Sequence, residues 1–263
     1  MWLDLRLYEP QCKLELFILR NAGNADVCDE LLPSEPSSSD CKLKRNNMII
    51  LDNVSKYYPT KFGRNYVLRD VSITLPRDRN IGILGVNGAG KSTLLRLLGG
   101  MDTPSKGKIT RHCRVSWPLA LNGGFQGSMT GRENTRFVCR IHGVRDTQAI
   151  EEWVKEFSEI GQHFELPIKA YSSGMKSKFS FAVSMAFDFE IYLTDEITSV
   201  GDARFKQKCI DVFNQKRETA SLIMVSHDMK NLRQQCDMGI LLRNSTLEIF
   251  DDIEDAIRIY QNL

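Results

Sequence analysis

The stretch GILGVNGAGKSTLLRLLGG, residues 82–100, decides how the chain is read. A short apolar run, NIGILGV (80–86), suits a buried strand and leads into a turn that has lost most of its side chains. A leucine-rich helix, STLLRLLGG (92–100), leaves the turn and is expected to stop at Gly99 and Gly100. GVNGAGKS (85–92) satisfies GxxxxGK[ST] in the strand–turn–helix setting that the pattern requires. Gly85, Asn87, Gly88 and Gly90 let backbone N–H groups curl around phosphate oxygens. The helix starting near Lys91 points its positive end at the same anion. Lys91 is expected to neutralise the β and γ phosphates and the Ser92 hydroxyl to ligate Mg²⁺, with Thr93 as a further donor. Glycines alone would mean only a turn. With this lysine, this serine and these flanks, the prediction is a bound nucleoside triphosphate, ATP with Mg²⁺.

A phosphate loop does not name the chemistry, but a second stretch narrows it. IYLTDE (191–196) is an apolar strand ending in two acids, about 100 residues after the lysine. Asp195 is expected to hold Mg²⁺, and Glu196 to orient or deprotonate the attacking water. A third stretch, YSSGMKSKFSFAVSMAF (171–187), opens a helix at a Ser-Ser-Gly turn. Ser172 or Ser173 can cap it, and Gly174 allows close backbone approach.

The rest of the chain sets bounds. Its 263 residues can hold one large domain or a domain with a subdomain. The 35 basic and 33 acidic residues leave +2, which gives no argument for a nucleic-acid partner. The most apolar window, FSFAVSMAFDFEIYL (179–193), is interrupted by Asp188 and Glu190, so no transmembrane helix is expected. Seven scattered cysteines form no CxxC pair, which fits a reducing, cytoplasmic setting.

Residues 1–47 differ from the remainder of the chain. LPSEPSSSD (32–40) reads as a linker, and the alternating Leu3, Leu5, Leu7 and Leu14, Leu16, Ile18 read as two orphan strands. The stronger expectation is a dispensable extension, or translation upstream of a true start at Met48. There a strand begins, MIILDNVSKYY (48–58), and from it strand-like and helix-like pieces alternate: VLRDVSITL (67–75), helices over 131–165, and the strands FEIYLTDE (189–196) and ASLIMVSHD (220–228). In LEIFDDIEDAIRIYQNL (247–263), Ile249, Ile253, Ala256, Ile257 and Tyr260 fall on one helical face. The sum is an α/β fold with a mainly parallel sheet and no internal repeat.

Taken together, the three motif stretches resemble the ABC ATPases over residues 48–263, a P-loop NTPase fold with a small helical subdomain, here about 128–187. Tyr171, Ser172, Ser173, Gly174 and Met175 take the five places of the family's LSGGQ signature, with Tyr, Ser and Met as departures. The resemblance implies further roles: Asp202 in TSVGD (198–202) as the D-loop acid, His227 in VSHD (225–228) as the switch histidine at the γ-phosphate, and Gln126 in GGFQG (123–127) as the glutamine touching Mg²⁺ and the lytic water. In VSKYYP (54–59) Tyr58 best fits the aromatic that stacks on adenine, with Tyr57 as the alternative. Within the family, KYYPTKFGRNYVLRD, SWPLALNGGFQGSMTGREN, YSSGMKSK and DEITSVGDARFKQKC are most similar to the ATP-binding subunits of bacterial capsular polysaccharide exporters, where YSSGM is the usual form.

That similarity implies an ATP hydrolase, peripheral on the cytoplasmic face of the inner membrane. It would pair head to tail with a second copy, so that Ser172 of one faces the phosphates held by Lys91 of the other. It would work with transmembrane permease subunits and, through them, with periplasmic and outer-membrane polysaccharide export proteins. Related O-antigen exporters often carry an extra C-terminal β-rich glycan-binding domain, and none is visible here, which favours capsule. Export of O-antigen or teichoic acid is the alternative. ABC ATPases that never touch a membrane are disfavoured, because no long coiled coil and no second ATPase unit is present.

Overall fold

The computed structural model describes residues 47–61, 63–76, 78–119, 125–195 and 202–263. The expectations for residues 1–46, for Glu196 and for most of TSVGD lie outside the described residues. The chain forms two compact units. Of the described residues, the larger comprises 47–61, 63–76, 78–119, 189–195 and 206–263, and the smaller 125–188 and 202–205.

In the larger unit, strands β1 (Asn47–Thr60) and β2 (Gly63–Pro76) form a long antiparallel hairpin, and β4 (Lys106–Arg111) adds to the far side of β1. Strands are expected both from Met48 and over 67–75, and both are present but longer; their antiparallel pairing is not foreseen by the reading of a mainly parallel sheet. Alternation puts Ile49 and Leu51 of β1, and Val71 and Leu75 of β2, into the core, and Leu68 joins them across the irregularity at Asp70, φ 48°. The register slips between Leu51 and Val54, beside Asn53 at φ 47°. There the Ser55 hydroxyl donates to Asp70 Oδ1 at 2.9 Å and accepts from the Asp70 N–H at 2.9 Å.

The second sheet is the parallel one. Strands β5 (Ile191–Asp195), β6 (Ser221–Val225), β3 (Ile81–Leu84) and β7 (Met238–Arg243) lie side by side in that order. Strand β8 (Thr246–Phe250) closes the edge antiparallel to β7. Its hairpin turns through Asn244 and Ser245, both at positive φ, as a two-residue turn requires. Helix α1 (Lys91–Leu98) follows β3 and buries Leu94, Leu95, Leu97 and Leu98 against the core. Helices α5 (Ala203–Arg217), α6 (Met229–Gln235) and α7 (Ile253–Gln261) complete the crossovers and the C-terminus.

The C-terminal segment corrects one expectation. Ile249 lies on β8, 39% exposed, and the helix begins only at Ile253. Asp252 caps α7 by accepting from the Glu254 N–H at 2.8 Å, which starts the helix after the strand has ended. The buried face of α7 is Ile253, Ala256 and Ile257. It lies close against β3 and β7 because both strands carry a glycine there. A Cβ on Gly82 would stand 2.8 Å from Ile253 Cδ1, and one on Gly239 2.3 Å from Ala256 Cβ.

The smaller unit holds α2 (Gly131–Ile141), α3 (Gln148–Ser158), two 3₁₀ turns (Gly161–Glu165 and Ile168–Ala170) and α4 (Ser173–Met185). Its core is aromatic, with Phe157, Phe164, Phe179 and Phe181 buried. Thr130 and Glu133 form a capping box at the start of α2. Beneath it, the buried Glu151 carboxylate receives Arg132, Arg136 and the Thr147 hydroxyl. Among the described residues no helix is long and apolar enough to cross a membrane.

Candidate functional site

The parallel strands place their C-terminal ends at one edge, where ligands bind in open α/β sheets. The pairing register levels three of them: Asp195 of β5 lies beside Val225 of β6, and Val225 beside Ile83 of β3. The glycine-rich turn therefore leaves β3 next to the end of β6 and one strand further from the end of β5. His227, two residues beyond Val225, is exposed at that same edge, and Asp228 caps α6 through the N–H groups of Lys230 and Asn231.

The turn itself follows from its glycines. Gly90 sits at φ 108° as the N-cap of α1, a conformation closed to ordinary L-residues. It has no side chain to bond the first N–H groups of the helix, and no acid occupies the first turn. The positive end of α1 is thus left without a side-chain cap. The Lys91 ammonium curls back over the loop, donating to the Gly85 carbonyl at 2.6 Å and the Val86 carbonyl at 3.2 Å, and the residue is buried. The Ser92 hydroxyl donates to Asp195 Oδ2 at 2.9 Å. Residues 103 positions apart in the chain thus present two hard oxygens side by side. That donor set suits Mg²⁺, which takes one or two carboxylates together with phosphate oxygens. Thr93, buried behind Ser92, faces the Arg96 guanidinium at 3.5 Å.

Tyr57 and Tyr58 are neighbours on β1 and point to opposite faces. Tyr57 packs against Tyr66, with ring centroids 5.2 Å apart, and lies under the Arg64 guanidinium. Tyr58 is exposed, with its hydroxyl 3.4 Å from both Arg96 of α1 and Asp102.

The remaining candidates belong to the smaller unit. Gln126 is exposed, and its backbone is clamped by the buried Asn134. The Asn134 side chain accepts from the Gln126 N–H at 2.8 Å and donates to the carbonyls of Gln126, Met129 and Thr130. Sequence reasoning does not reach Asn134; the only signal near it is the Thr-x-x-Glu capping box that starts the same helix. Ser172 is the N-cap of α4, accepting from the Met175 N–H at 3.2 Å. A Cβ on Gly174 would meet nothing closer than Ser172 Oγ at 4.0 Å, so the start of α4 is uncrowded and exposed. Tyr171 is buried, its ring edge-on to Phe179. Asp202 accepts from the Phe205 N–H at 3.0 Å and from Lys178 Nζ at 3.2 Å, and these bonds hold its carboxyl below the ordinary aspartate range.

Strands ending in a glycine-rich turn before an uncapped helix, with a carboxylate beside the serine of that turn, define a P-loop nucleotide-binding fold. The chain belongs to the ABC transporter family, whose description it matches over residues 68–199, and is an ABC-type ATPase. It is 49% identical over 216 residues to the polysialic acid transport ATP-binding protein KpsT of Escherichia coli, covering 81% of this chain and 99% of that one. It is 45% identical to the capsule polysaccharide export ATP-binding protein CtrD of Neisseria meningitidis serogroup B, covering 82% and 100%. Relatives named for O-antigen and teichoic acid export match at 37% and 36% identity. Among solved structures, a dimeric post-hydrolysis state of the ATP-binding cassette MJ0796 bound to ADP and Pi shares the fold, with TM-score 0.62 at 20% identity, over 78% of this chain and 99% of that one.

Proposed function

We propose that this chain is the ATP-hydrolysing subunit of an exporter that moves capsular polysaccharide across the bacterial inner membrane, peripheral on the cytoplasmic face. The observation that carries the reading is similarity to capsule-export ATP-binding proteins along nearly their whole length, well above the similarity to O-antigen and teichoic acid relatives. The phosphate chain of ATP lies in the turn from Gly85 to Gly90, against the open N-terminus of α1, with Asn87, Gly88 and Thr93 lining it. Lys91 exchanges its loop carbonyls for phosphate oxygens. Ser92 and Asp195 hold Mg²⁺, with Gln126 as a further contact. When bound, the metal neutralises developing charge on the phosphates. Glu196, next after Asp195, orients and deprotonates the attacking water, and His227 donates to the γ-phosphate. Tyr58, the more exposed of the tyrosine pair, carries the adenine.

One copy holds half of each site. The exposed start of α4 supports a head-to-tail pair in which Ser172 and Gly174 of one copy close on the ATP held by Lys91 of the other, with Asp202 beside that interface. ATP then holds the pair closed and hydrolysis opens it, a two-state element biased by its ligand. The permease subunits take up that motion, and through them the periplasmic and outer-membrane export proteins. The test is complementation. In a strain that lacks its own capsule-export ATP-binding protein but keeps the permease, this chain restores surface capsule and Lys91→Ala does not. A wild-type chain that accumulates, binds Mg-ATP and leaves capsule inside the cell overturns the reading.

A further inference from the structure

The Tyr58 side chain sits in a small polar network that no phosphate chemistry requires. Lys56, buried on the same strand, donates to Asp102 Oδ1 at 2.7 Å and to the Thr103 carbonyl at 2.9 Å. Its ammonium also lies 5.2 Å from the Tyr58 ring centroid. The Tyr58 hydroxyl makes a long bond to Asp102 Oδ2 and accepts from Arg96 Nη2, each at 3.4 Å. The result is a directed chain from Arg96 through the phenol to Asp102, with Lys56 closing it from the other side.

This chain is anchored to the phosphate loop's own helix. The backbone N–H of Asp102 donates to the Arg96 carbonyl at 3.2 Å, and that of Met101 to the same carbonyl at 2.9 Å. The turn after α1 is also stitched to β1: Ser105 N–H donates to the Ser55 carbonyl at 2.8 Å, and Tyr57 N–H to Ser105 Oγ at 3.2 Å. Arg96 Nε is buried without a hydrogen-bond partner. An unpaired buried donor is costly, so local satisfaction does not explain why this guanidinium lies where it does. Its Nη2 reaches both Tyr58 Oη and Thr93 Oγ1, one on the tyrosine and one on the helix that begins at Lys91.

We infer that Arg96, Asp102 and Lys56 are positioning residues that fix the Tyr58 ring relative to α1, so that the base and the phosphates of one nucleotide meet preset partners. The inference rests on the reading of Tyr58 as the adenine platform. A free tyrosine on a strand edge loses rotamer freedom when a base stacks on it, whereas a ring already held at its hydroxyl does not. Arg96 also touches Thr93 beside the phosphates, but Asp102 acts through the Tyr58 hydroxyl, on base recognition and not on phosphate recognition.

The experiment is calorimetry on the full chain with two ligands, Mg-ATP and Mg-tripolyphosphate, the second having phosphates but no base. Four variants are compared: Tyr58→Ala, Tyr58→Phe, Asp102→Asn, and Tyr58→Ala combined with Asp102→Asn. Tyr58→Phe and Asp102→Asn should weaken Mg-ATP by about threefold to tenfold, part of what base–aromatic stacking contributes, and leave tripolyphosphate affinity unchanged. Asp102→Asn should add nothing once Tyr58 is alanine. If Asp102→Asn binds Mg-ATP like the wild type while Tyr58→Ala is weakened, the positioning role is refuted and the platform stands. If Asp102→Asn weakens tripolyphosphate equally, the residue only shapes the loop and the inference falls. If Tyr58→Ala binds Mg-ATP as the wild type does, the platform reading itself fails.

Discussion

Replacing Gly90 with alanine tests the geometry of the phosphate loop through two separable costs. The first is backbone conformation. At φ 108° and ψ 17°, Gly90 lies in the left-handed region, beyond its ordinary centre, where an alanine costs about 1–2 kcal/mol. The second is contact. The new Cβ would stand 2.1 Å from Val67 Cγ1 of β2, far inside the carbon–carbon optimum of about 3.5–4 Å. Val67 is β-branched and stiff at χ1, so relief needs an off-rotamer side chain or a backbone shift, at about 1–3 kcal/mol. The sum, about 2–5 kcal/mol, is a large fraction of a typical domain's stability of about 5–15 kcal/mol. It should lower Tm by roughly 4–20 °C at about 2–4 °C per kcal/mol. Val67→Ala removes Cγ1 and with it the second cost only. A double-mutant cycle should therefore recover about 1–3 kcal/mol of coupling and leave the backbone cost in place. Thermal melting of the four proteins without nucleotide gives the cycle, and repeating it with Mg-ATP shows whether the altered loop still gains stability from the ligand. An unchanged Tm in Gly90→Ala, or no rescue by Val67→Ala, would refute the steric account.

Two other perturbations have defined outcomes. Glu196→Gln should keep Mg-ATP binding and slow phosphate release by about 10²–10⁴-fold, the range for loss of a general base; light scattering in saturating Mg-ATP should then show a dimer that ADP does not support, and a monomer would contradict the composite site. In acid, burial pushes the Glu151 carboxyl up, but hydrogen bonds from Arg136, Thr147 and Arg132 outweigh it and hold it below the ordinary value of 4.5. The unfolded chain therefore takes up that proton first as pH falls, so stability present above pH 4.5 should be lost progressively below it. Glu151→Gln should flatten that part of the Tm-against-pH curve, and an equally steep curve would remove Glu151 as a cause.

What the sequence discloses and what it conceals divide along a physical line. The phosphate loop is legible because its chemistry is contiguous: glycines, lysine and serine must follow one another for a turn to become an anion site, whatever surrounds them. The strand ending at Asp195 is legible for a similar reason, since a buried apolar run with acids at its end is a local pattern. The residues that hold these groups in place carry no such pattern. Asn134 clamps the Gln126 backbone from within a helix, and any residue with a donor and an acceptor at that reach would read the same. Asp102 meets Lys56 and Tyr58 across 46 and 44 positions, so nothing in its own neighbourhood announces the contact. Gly82 looks like one small residue in an apolar strand, and only the side chains of Ile253 on α7 and Leu232 on α6, 2.8 and 3.0 Å from where a Cβ would stand, explain why it has none. The strands from Met48 and over 67–75 are legible, but their antiparallel pairing into the β1–β2 hairpin is not, because no local pattern in either strand says which neighbour it bonds to. The helical face drawn through Ile249 fails for the converse reason. A four-residue spacing from Ile249 to Ile253 suits a helix, and the strand that ends at Phe250 carries that first isoleucine by sheet pairing instead. Groups that must be adjacent in the chain to work are therefore readable from it. Groups that work by meeting across the fold become readable only once the fold has brought them together, and the network around Tyr58 is of that second kind.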